Sequence, residues 1–270
     1  MYLWKNTETL AKYEKDLKFS TNKNIIKMIL AGSKKINYSE FPNLKYIFRA
    51  GVGRDNILES DLKKFDIKLF LPSKYTRINL YEETANYTCY LIFKLIFFEK
   101  YNKKKWIKIP RKDLKDKKLL IVGMGNIGKR VLRKMKQFMK IETYDIKTDN
   151  KTNLLRKLKI VDCVTFHIPG DSKNINLINK KNLCLFKKDV VIINTSRAHI
   201  FNETDLFQYL KKNINVKAAF DVFWKEPYRG KLSVLKNFFM SPHIASNSNN
   251  FLIGCKKDLD KIIFTLNKKK

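Results

Sequence analysis

Cysteine is scarce in this chain and widely scattered: Cys89, Cys163, Cys184 and Cys255 lie far apart, each among apolar neighbours. That spacing excludes a disulfide framework and a cysteine-based metal site, so the four read as small buried hydrophobes. Glycine and proline are also few, at 9 and 6, which rules out a collagen-like or low-complexity chain. Long apolar runs are missing too. The longest, residues 87–98, is broken by Lys94 and is too short to cross a bilayer. The first residues, MYLWKNTETLAKYEKDL, are charged throughout and predict no signal peptide. Together these absences predict a cytoplasmic protein with no membrane partner. The largest shortage is of acid, with 25 Asp and Glu against 57 Lys and Arg, a formal charge of +32. Such an excess ordinarily points to nucleic acid or an anionic surface. Here lysine is spread along every segment beside many Asn and Ile, and only residues 103–105 and 268–270 form short runs. We read a solvated surface and no specific nucleic-acid partner.

At 270 residues and 44% hydrophobic, the chain can bury one or two cores, and two domains are expected. The stretch LLIVGMGNIGKRVLRKMKQFMKIETYD, residues 119–145, organises the rest. Apolar Leu119, Leu120, Ile121 and Val122 form a buried strand that runs into Gly123, Gly125 and Gly128. Ile127, Val131, Leu132, Met135 and Phe138 then recur at helical spacing, with Lys129, Arg130, Arg133, Lys134 and Lys136 on the other face. A second strand, residues 141–144, ends on Asp145. In this order the pieces suit a dinucleotide. Gly123 permits the tight turn, Gly125 a close approach of backbone to pyrophosphate, and Gly128 close helix–strand packing. The helix N-terminus faces the phosphates, and Asp145, about 20 residues on, is placed to accept from the ribose 2′-OH.

Before this motif, residues 25–30, 44–48 and 67–71 read as strands of a small open α/β layer. Residues 49–56, RAGVGRDN, follow the second of them. Its flanking glycines either expose backbone N–H groups to an anion or make a plain tight turn. Residues 87–98 read as a buried helix and residues 99–118 as a charged connection. Beyond Asp145, strand candidates recur at 163–168, 190–194, 216–222 and 238–240 with helical stretches between, which makes a doubly wound parallel sheet. The last helix, residues 250–266, places Leu252, Cys255, Leu259, Ile262 and Ile263 on one face and is long enough to pack on the N-terminal layer.

Ligands of such sheets sit beyond the carboxyl ends of the strands. Three of those ends carry chemistry: Asn194-Thr195-Ser196-Arg197, Asp221 through Glu226, and Ser241-Pro242-His243-Ile244. The order RAGVGRDN, GMGNIG with Asp145, HIP, NTSR, DVFWKEP and SPHIAS resembles the D-2-hydroxyacid dehydrogenase family, most of all its D-3-phosphoglycerate dehydrogenase branch. The resemblance runs from about residue 25 to the end of the chain. It implies a Rossmann domain, residues 87–245, inserted in a smaller flavodoxin-like α/β substrate domain made of 1–86 and 246–270. It further implies a cleft active site between them, NAD as cofactor, a 2-hydroxy or 2-oxo acid as substrate, no metal, and a homodimer.

By that resemblance His243 is the acid/base, Glu226 its partner and Arg197 the substrate-binding cation. Gly123, Gly125, Asn126, Ile127, Gly128, Asp145, His167, Pro169, Thr195 and Asp221 would border the cofactor, with Asp221 near the nicotinamide amide. Arg49, Gly51, Val52 and Gly53 would serve the substrate carboxylate. The chemistry is independently sound. Reducing a 2-oxo acid requires a proton for the nascent alkoxide, which histidine can supply. A carboxylate on the other ring nitrogen holds the imidazole and favours its charged form, and arginine offers a planar fork to a carboxylate. A lone histidine is usually structural, and this is how His199, and His167 on its own, read. Three positions depart from the family pattern: Asn86 in place of a glutamate, Ala198 in place of a glycine after the arginine, and Arg54 where a small apolar residue is common. The chain is also short between Gly53 and Gly123, and no appended regulatory domain is expected. Two further readings stand beside the enzyme: an NAD-binding corepressor-like protein, and a degenerate relative that binds NAD without turnover.

Overall fold

The computed structural model describes residues 1–97, 108 and 110–268. The end of the expected helix at Phe98, most of the charged connection, the 103–105 run and residues 269–270 lie outside the described residues. Contacts divide the chain into two units, one made of Met1–Leu80 and Ser246–Lys270, the other of Tyr81–Ala245.

In the first unit β1 (Leu3–Lys5), β2 (Met28–Ala31), β3 (Tyr46–Arg49) and β4 (Lys68–Phe70) form a parallel sheet whose strands lie side by side in chain order. The edge strand β1 was not legible in the sequence because its three residues, LWK, sit in a charged segment. Helix α1 (Glu59–Lys64) precedes β4. Ile29, Ala31 and Ile47 pack with Ile26, Tyr38, Phe41, Leu44, Ile57 and Ile67. The last helix of the chain, Asn249–Lys268, is tied to this layer by polar contacts. Asp258 accepts from the Ser73 amide at 2.8 Å, and Lys256 donates to Asp16 at 2.8 Å.

Helix α2 (Lys74–Ile96) contains the division between the units. It begins well before the expected Tyr87, because the polar residues of its first three turns give no apolar signal while Thr76, Leu80, Thr84, Ala85 and Thr88 are buried. The second unit then runs β5 (Lys118–Val122), α3 (Gly128–Met135), β6 (Lys140–Tyr144), α4 (Lys151–Leu158), β7 (Cys163–Phe166), α5 (Lys180–Leu183), β8 (Val191–Asn194), α6 (Glu203–Lys212), β9 (Lys217–Phe220) and β10 (Phe238–Met240). The final helix, Asn249–Lys268, is α7. With glycine and proline so few, asparagine marks the helix starts. Asn150, Asn179 and Asn202 each accept a backbone N–H from the first turn of α4, α5 and α6, a cap typically worth about 1 kcal/mol.

The six strands are all parallel, in the order β10-β9-β8-β7-β5-β6. Successive side chains point to opposite faces, and both faces are covered. Leu119, Ile121, Cys163, Val191, Ile193 and Ala219 pack against α2 and α3. Leu120, Val122, Val164, Phe166, Ile192, Ala218 and Phe220 pack against α4, α5 and α6. This is the doubly wound sheet expected. A single helix, α4, links β6 to β7, so no third strand lies outside β6 as it would in the 3-2-1-4-5-6 order. The chain reverses direction across the sheet between β5 and β7, and that switch point is where such folds bind ligands. One expectation about the cysteines is corrected. Cys184 is exposed, at the end of α5, with its thiol directed to the Lys180 and Lys181 carbonyls, because its helix turns that position to solvent.

Candidate active site

At the switch point the glycine loop is fixed by steric necessity. Gly123 has φ +97°, and a Cβ there would lie 2.5 Å from the His167 carbonyl oxygen. A Cβ on Gly128 would lie 1.9 Å from the Gly123 oxygen, so α3 can start against the strand end only with glycine at that position. Gly125 differs, because no heavy atom lies within 4 Å of its Cβ position. Nothing in the protein itself demands glycine there. Asn126 offers its carbonyl to Arg130 at 2.6 Å, and Ile127, which precedes α3, makes no side-chain cap. The first N–H groups of the helix therefore have no side-chain acceptor at the cap.

Asp145, at the end of β6, accepts from the Met124 amide of this loop at 2.8 Å and from the Lys147 amide at 3.0 Å. The Lys147 and Met124 amides hold its carboxyl below the usual range, against the opposing effect of burial. His167 follows β7, with Nε2 3.1 Å from the Thr165 hydroxyl and a buried Nδ1 that has no partner. Burial pushes its pKa down to about 3, so the ring is neutral. Pro169 gives its carbonyl to Asn174 at 3.0 Å.

At the end of β8, the fully buried Asn194 folds its own loop. Its Nδ2 donates to the Arg197 carbonyl at 2.9 Å, and its Oδ1 accepts from the Ser196 amide and hydroxyl at 3.0 Å each. The Thr195 hydroxyl meets Thr88 of α2 at 2.8 Å. Arg197 leaves this loop with its side-chain stem against Gly170, where a Cβ would come within 2.8 Å of Arg197 Cγ. Its Nη1 donates to the Ser196 carbonyl at 2.6 Å.

Beyond β9 and β10 the two remaining groups meet. His243 Nδ1 lies 3.0 and 2.9 Å from the two Glu226 oxygens, and Glu226 also accepts from the Phe223 amide at 3.1 Å. Burial alone would raise the Glu226 pKa. The hydrogen bond and charge of His243, the Phe223 amide and the charge of Arg197 outweigh it and hold the carboxyl below its usual value. A carboxylate can only accept, so Nδ1 carries the proton and Nε2 is the ring atom left for other work. His243 has φ +56°, a conformation that costs a non-glycine residue on the order of 1 kcal/mol and persists only where its surroundings enforce it. Arg197, Glu226 and His243 are thus brought together within the second unit. The sequence placed Asn194, Ser196, Phe223 and Ser241 at the strand ends but gave them no role, because they act through ordinary polar contacts that have no periodicity.

The first-unit loop is held largely by its own arginine. Arg49 is buried and donates from Nε to the Gly53 carbonyl at 2.9 Å and from Nη1 to the Ala31 and Ala50 carbonyls at 3.3 and 3.4 Å. The Gly51 amide turns back to the Arg49 carbonyl at 2.8 Å. The guanidinium therefore braces the turn, and of the three amides expected to face an anion Gly51 is committed internally. Asn86, in place of the expected glutamate, bonds Glu83 at 3.1 Å. Ala198 is buried at the start of a short turn of helix. Among the described residues no group of three or more His, Cys, Asp or Glu is arranged to hold a metal, and no helix is long and apolar enough to cross a membrane.

Residues 95–245 match the model of the D-isomer specific 2-hydroxyacid dehydrogenase NAD binding domain. A hydroxypyruvate reductase from Thermotoga maritima is 31% identical over 226 residues, 76% of this chain and 72% of that one. A D-3-phosphoglycerate dehydrogenase from Methanocaldococcus jannaschii is 29% identical over 219 residues, 74% of this chain and 41% of that one. Among solved structures, the D-lactate dehydrogenase of Aquifex aeolicus complexed with NAD and lactic acid superposes with a TM-score of 0.80 at 21% identity, covering 100% of this chain and 96% of that one. With the glycine loop, the switch-point topology and the joined His243 and Glu226 already in place, the chain belongs to the D-isomer specific 2-hydroxyacid dehydrogenase family, and its second unit carries that family's NAD-binding domain.

Proposed function

We propose that this chain uses NAD to interconvert a small D-2-hydroxy acid and its 2-oxo acid, with His243 as acid/base, Glu226 as its partner and Arg197 as the cation for the substrate carboxylate. The observation that carries the reading is the two-oxygen contact of Glu226 with His243 Nδ1, on the same strand-end surface as Arg197.

The loop fits the cofactor on steric grounds. Open space at Gly125 leaves room for a phosphate to approach the backbone, and the N-terminus of α3 presents N–H groups to it. Asp145 has two oxygens and roughly four acceptor sites, so its bonds to Met124 and Lys147 leave capacity for a ribose diol. When bound, the nicotinamide supplies or receives the hydride. The chain's own residues do the rest. Arg197 orients the 2-oxo acid by a two-pronged contact and draws charge toward the carbonyl oxygen. His243 Nε2 gives that oxygen its proton during reduction and takes it back during oxidation. Glu226 stays ionised and holds the imidazole by its Nδ1, which leaves Nε2 toward the substrate oxygen. General acid/base action of this kind is typically worth about 10² to 10⁴ in rate.

Arg49 spends donors on the Gly53 and Ala50 carbonyls of its own turn and on the Ala31 carbonyl at the end of β2, which favours an acid without a second anionic group over a phosphorylated one. We further propose a cytoplasmic homodimer, which sedimentation of the purified chain tests. The functional reading is tested with NADH and a panel of glyoxylate, hydroxypyruvate, pyruvate and phosphohydroxypyruvate. Turnover of one or more of the first three is the expected result. NADH binding with no turnover of any acid overturns it in favour of a binding-only protein.

A further inference from the structure

The loops that carry His243 and Glu226 are held in different ways. Beside His243, the buried Asp221 at the end of β9 accepts from the Ser241 hydroxyl at 2.6 Å and from the Ile244 and Ala245 amides at 3.0 and 2.8 Å. The loop of Glu226 is instead fastened on each side of the glutamate, and both fastenings reach one segment. Trp224 Nε1 donates to the Phe201 carbonyl at 3.1 Å, and the Tyr228 hydroxyl donates to Glu203 Oε1 at 2.7 Å. Phe201 and Glu203 follow Arg197 on the connection from β8 into α6. That connection is fixed in turn, because the Ile178 amide donates to the Ile200 carbonyl and the Asn202 amide to the Ile178 carbonyl, at 2.9 Å each. Tyr228 also reaches Glu226 by a second route. Its ring stacks on Phe223 with centroids 4.8 Å apart, and the Phe223 amide donates to Glu226 at 3.1 Å. Gly230 leaves the space for this arrangement, since a Cβ there would lie 2.3 Å from the Tyr228 hydroxyl oxygen and 2.7 Å from Glu203 Oε1.

We propose that Trp224 and Tyr228 are positioning residues: they tie the Glu226 loop to the segment of Arg197 and so hold the Glu226–His243 pair in register with the cation that receives the substrate carboxylate. The proposal rests on the reading of Arg197, Glu226 and His243 as the reacting set. Half-buried Trp224, Glu226 and Tyr228 alternate with exposed Lys225 and Pro227, so the glutamate sits between its two anchors in the inward phase of the loop. Register matters to the chemistry, because a displacement of about 1 Å at a reacting group is enough to cost roughly 100-fold in rate.

The experiment uses Tyr228→Phe, which deletes the hydroxyl and keeps the ring, and Trp224→Phe, which deletes the indole N–H, each alone and each combined with Glu226→Gln. Three quantities are read: kcat for reduction of the best 2-oxo acid at saturating NADH, the Kd for NADH, and hydrogen exchange of the Phe223 amide. Each single change should lower kcat by ~5-fold or more with NADH Kd within about two-fold. Exchange at Phe223 should quicken, because the amide bonds a glutamate that is less firmly placed. In the Glu226→Gln background the same changes should cost less than about two-fold further, since residues that act through one another do not add. Equal losses with and without Glu226 would mean that the anchors act by another route and would overturn the proposal, as would retained kcat in both single variants. If Tyr228→Phe does not fold, Trp224→Phe decides by the same comparison. If the unmodified chain binds NADH but turns over no acid, the functional reading fails separately, and exchange at Phe223 that neither variant quickens then overturns the anchoring on its own.

Discussion

Glu226 depends on His243 for its ionisation, and the dependence can be measured. The glutamate is held below its usual pKa by the histidine bond, the Phe223 amide and nearby positive charge, which together exceed the cost of burial. A depressed carboxylate adds stability above its ordinary value, about 4.3 for Glu, and loses it as pH falls through the depressed value. Glu226→Gln should therefore lower Tm relative to the unmodified chain above about pH 5, and the two melting curves should converge as the pH is taken below about 4. A gap that is constant across this range contradicts an ionised Glu226. Asp145 carries a second prediction. Its carboxyl is held low by two backbone amides, so it is charged at neutral pH and repels a 2′-phosphate. Kinetic efficiencies should favour NADH over NADPH by at least about 10-fold, and Asp145→Ala should narrow the difference. Equal efficiencies in the unmodified chain refute the assignment.

Among the elements, the β5–α3 turn separates glycine needed by the protein from glycine needed by a ligand. A Cβ at Gly128 runs into the Gly123 carbonyl at 1.9 Å, whereas one at Gly125 meets nothing within 4 Å. Gly128→Ala should cost roughly 1–3 kcal/mol of stability by overpacking and weaken NADH with it. Gly125→Ala should leave Tm within a degree or two of the unmodified chain, since surface changes are usually within about 0.5 kcal/mol, yet still weaken NADH binding. Thermal melts with and without NADH read both, and loss of fold in Gly125→Ala contradicts the distinction. The same turn shows why part of the fold was legible. Buried parallel strands such as Val191–Asn194 are continuous apolar runs, and a glycine spacing tied to a strand and helix has few alternatives. Strand β1 and the first half of α2 were not legible, because a three-residue edge strand and a largely polar helix carry little periodicity. The site followed the same rule. Arg197, Glu226 and His243 stand in recognisable motifs, but the bonds by which Asn194 and Asp221 fold the loops beneath them join residues whose pairing no spacing announces. Arg49 sat in the RAGVG motif as a candidate for substrate, and only the structure reveals its guanidinium turned onto carbonyls.

Over the whole molecule, the +32 charge is the feature least explained by the chemistry of the site. Asp and Glu engage part of it, as where Glu82 on α2 meets Arg130, Arg133 and Lys134 on α3. Dispersed surface lysine should give nucleic acid only weak binding with a steep salt dependence and no sequence preference. Titration with duplexes of unrelated sequence at two salt concentrations checks this, and a sequence-specific complex at physiological salt contradicts it. The account as a whole stands on His243 as the proton donor to a 2-oxo acid. It is tested most directly by single-turnover reduction of the best acid with NADH in the unmodified chain and in His243→Ala, alongside the Kd for NADH. The account predicts a rate lower by about 10² to 10⁴ with NADH Kd nearly unchanged, because the imidazole acts on the substrate oxygen. Near-normal reduction by His243→Ala would contradict it.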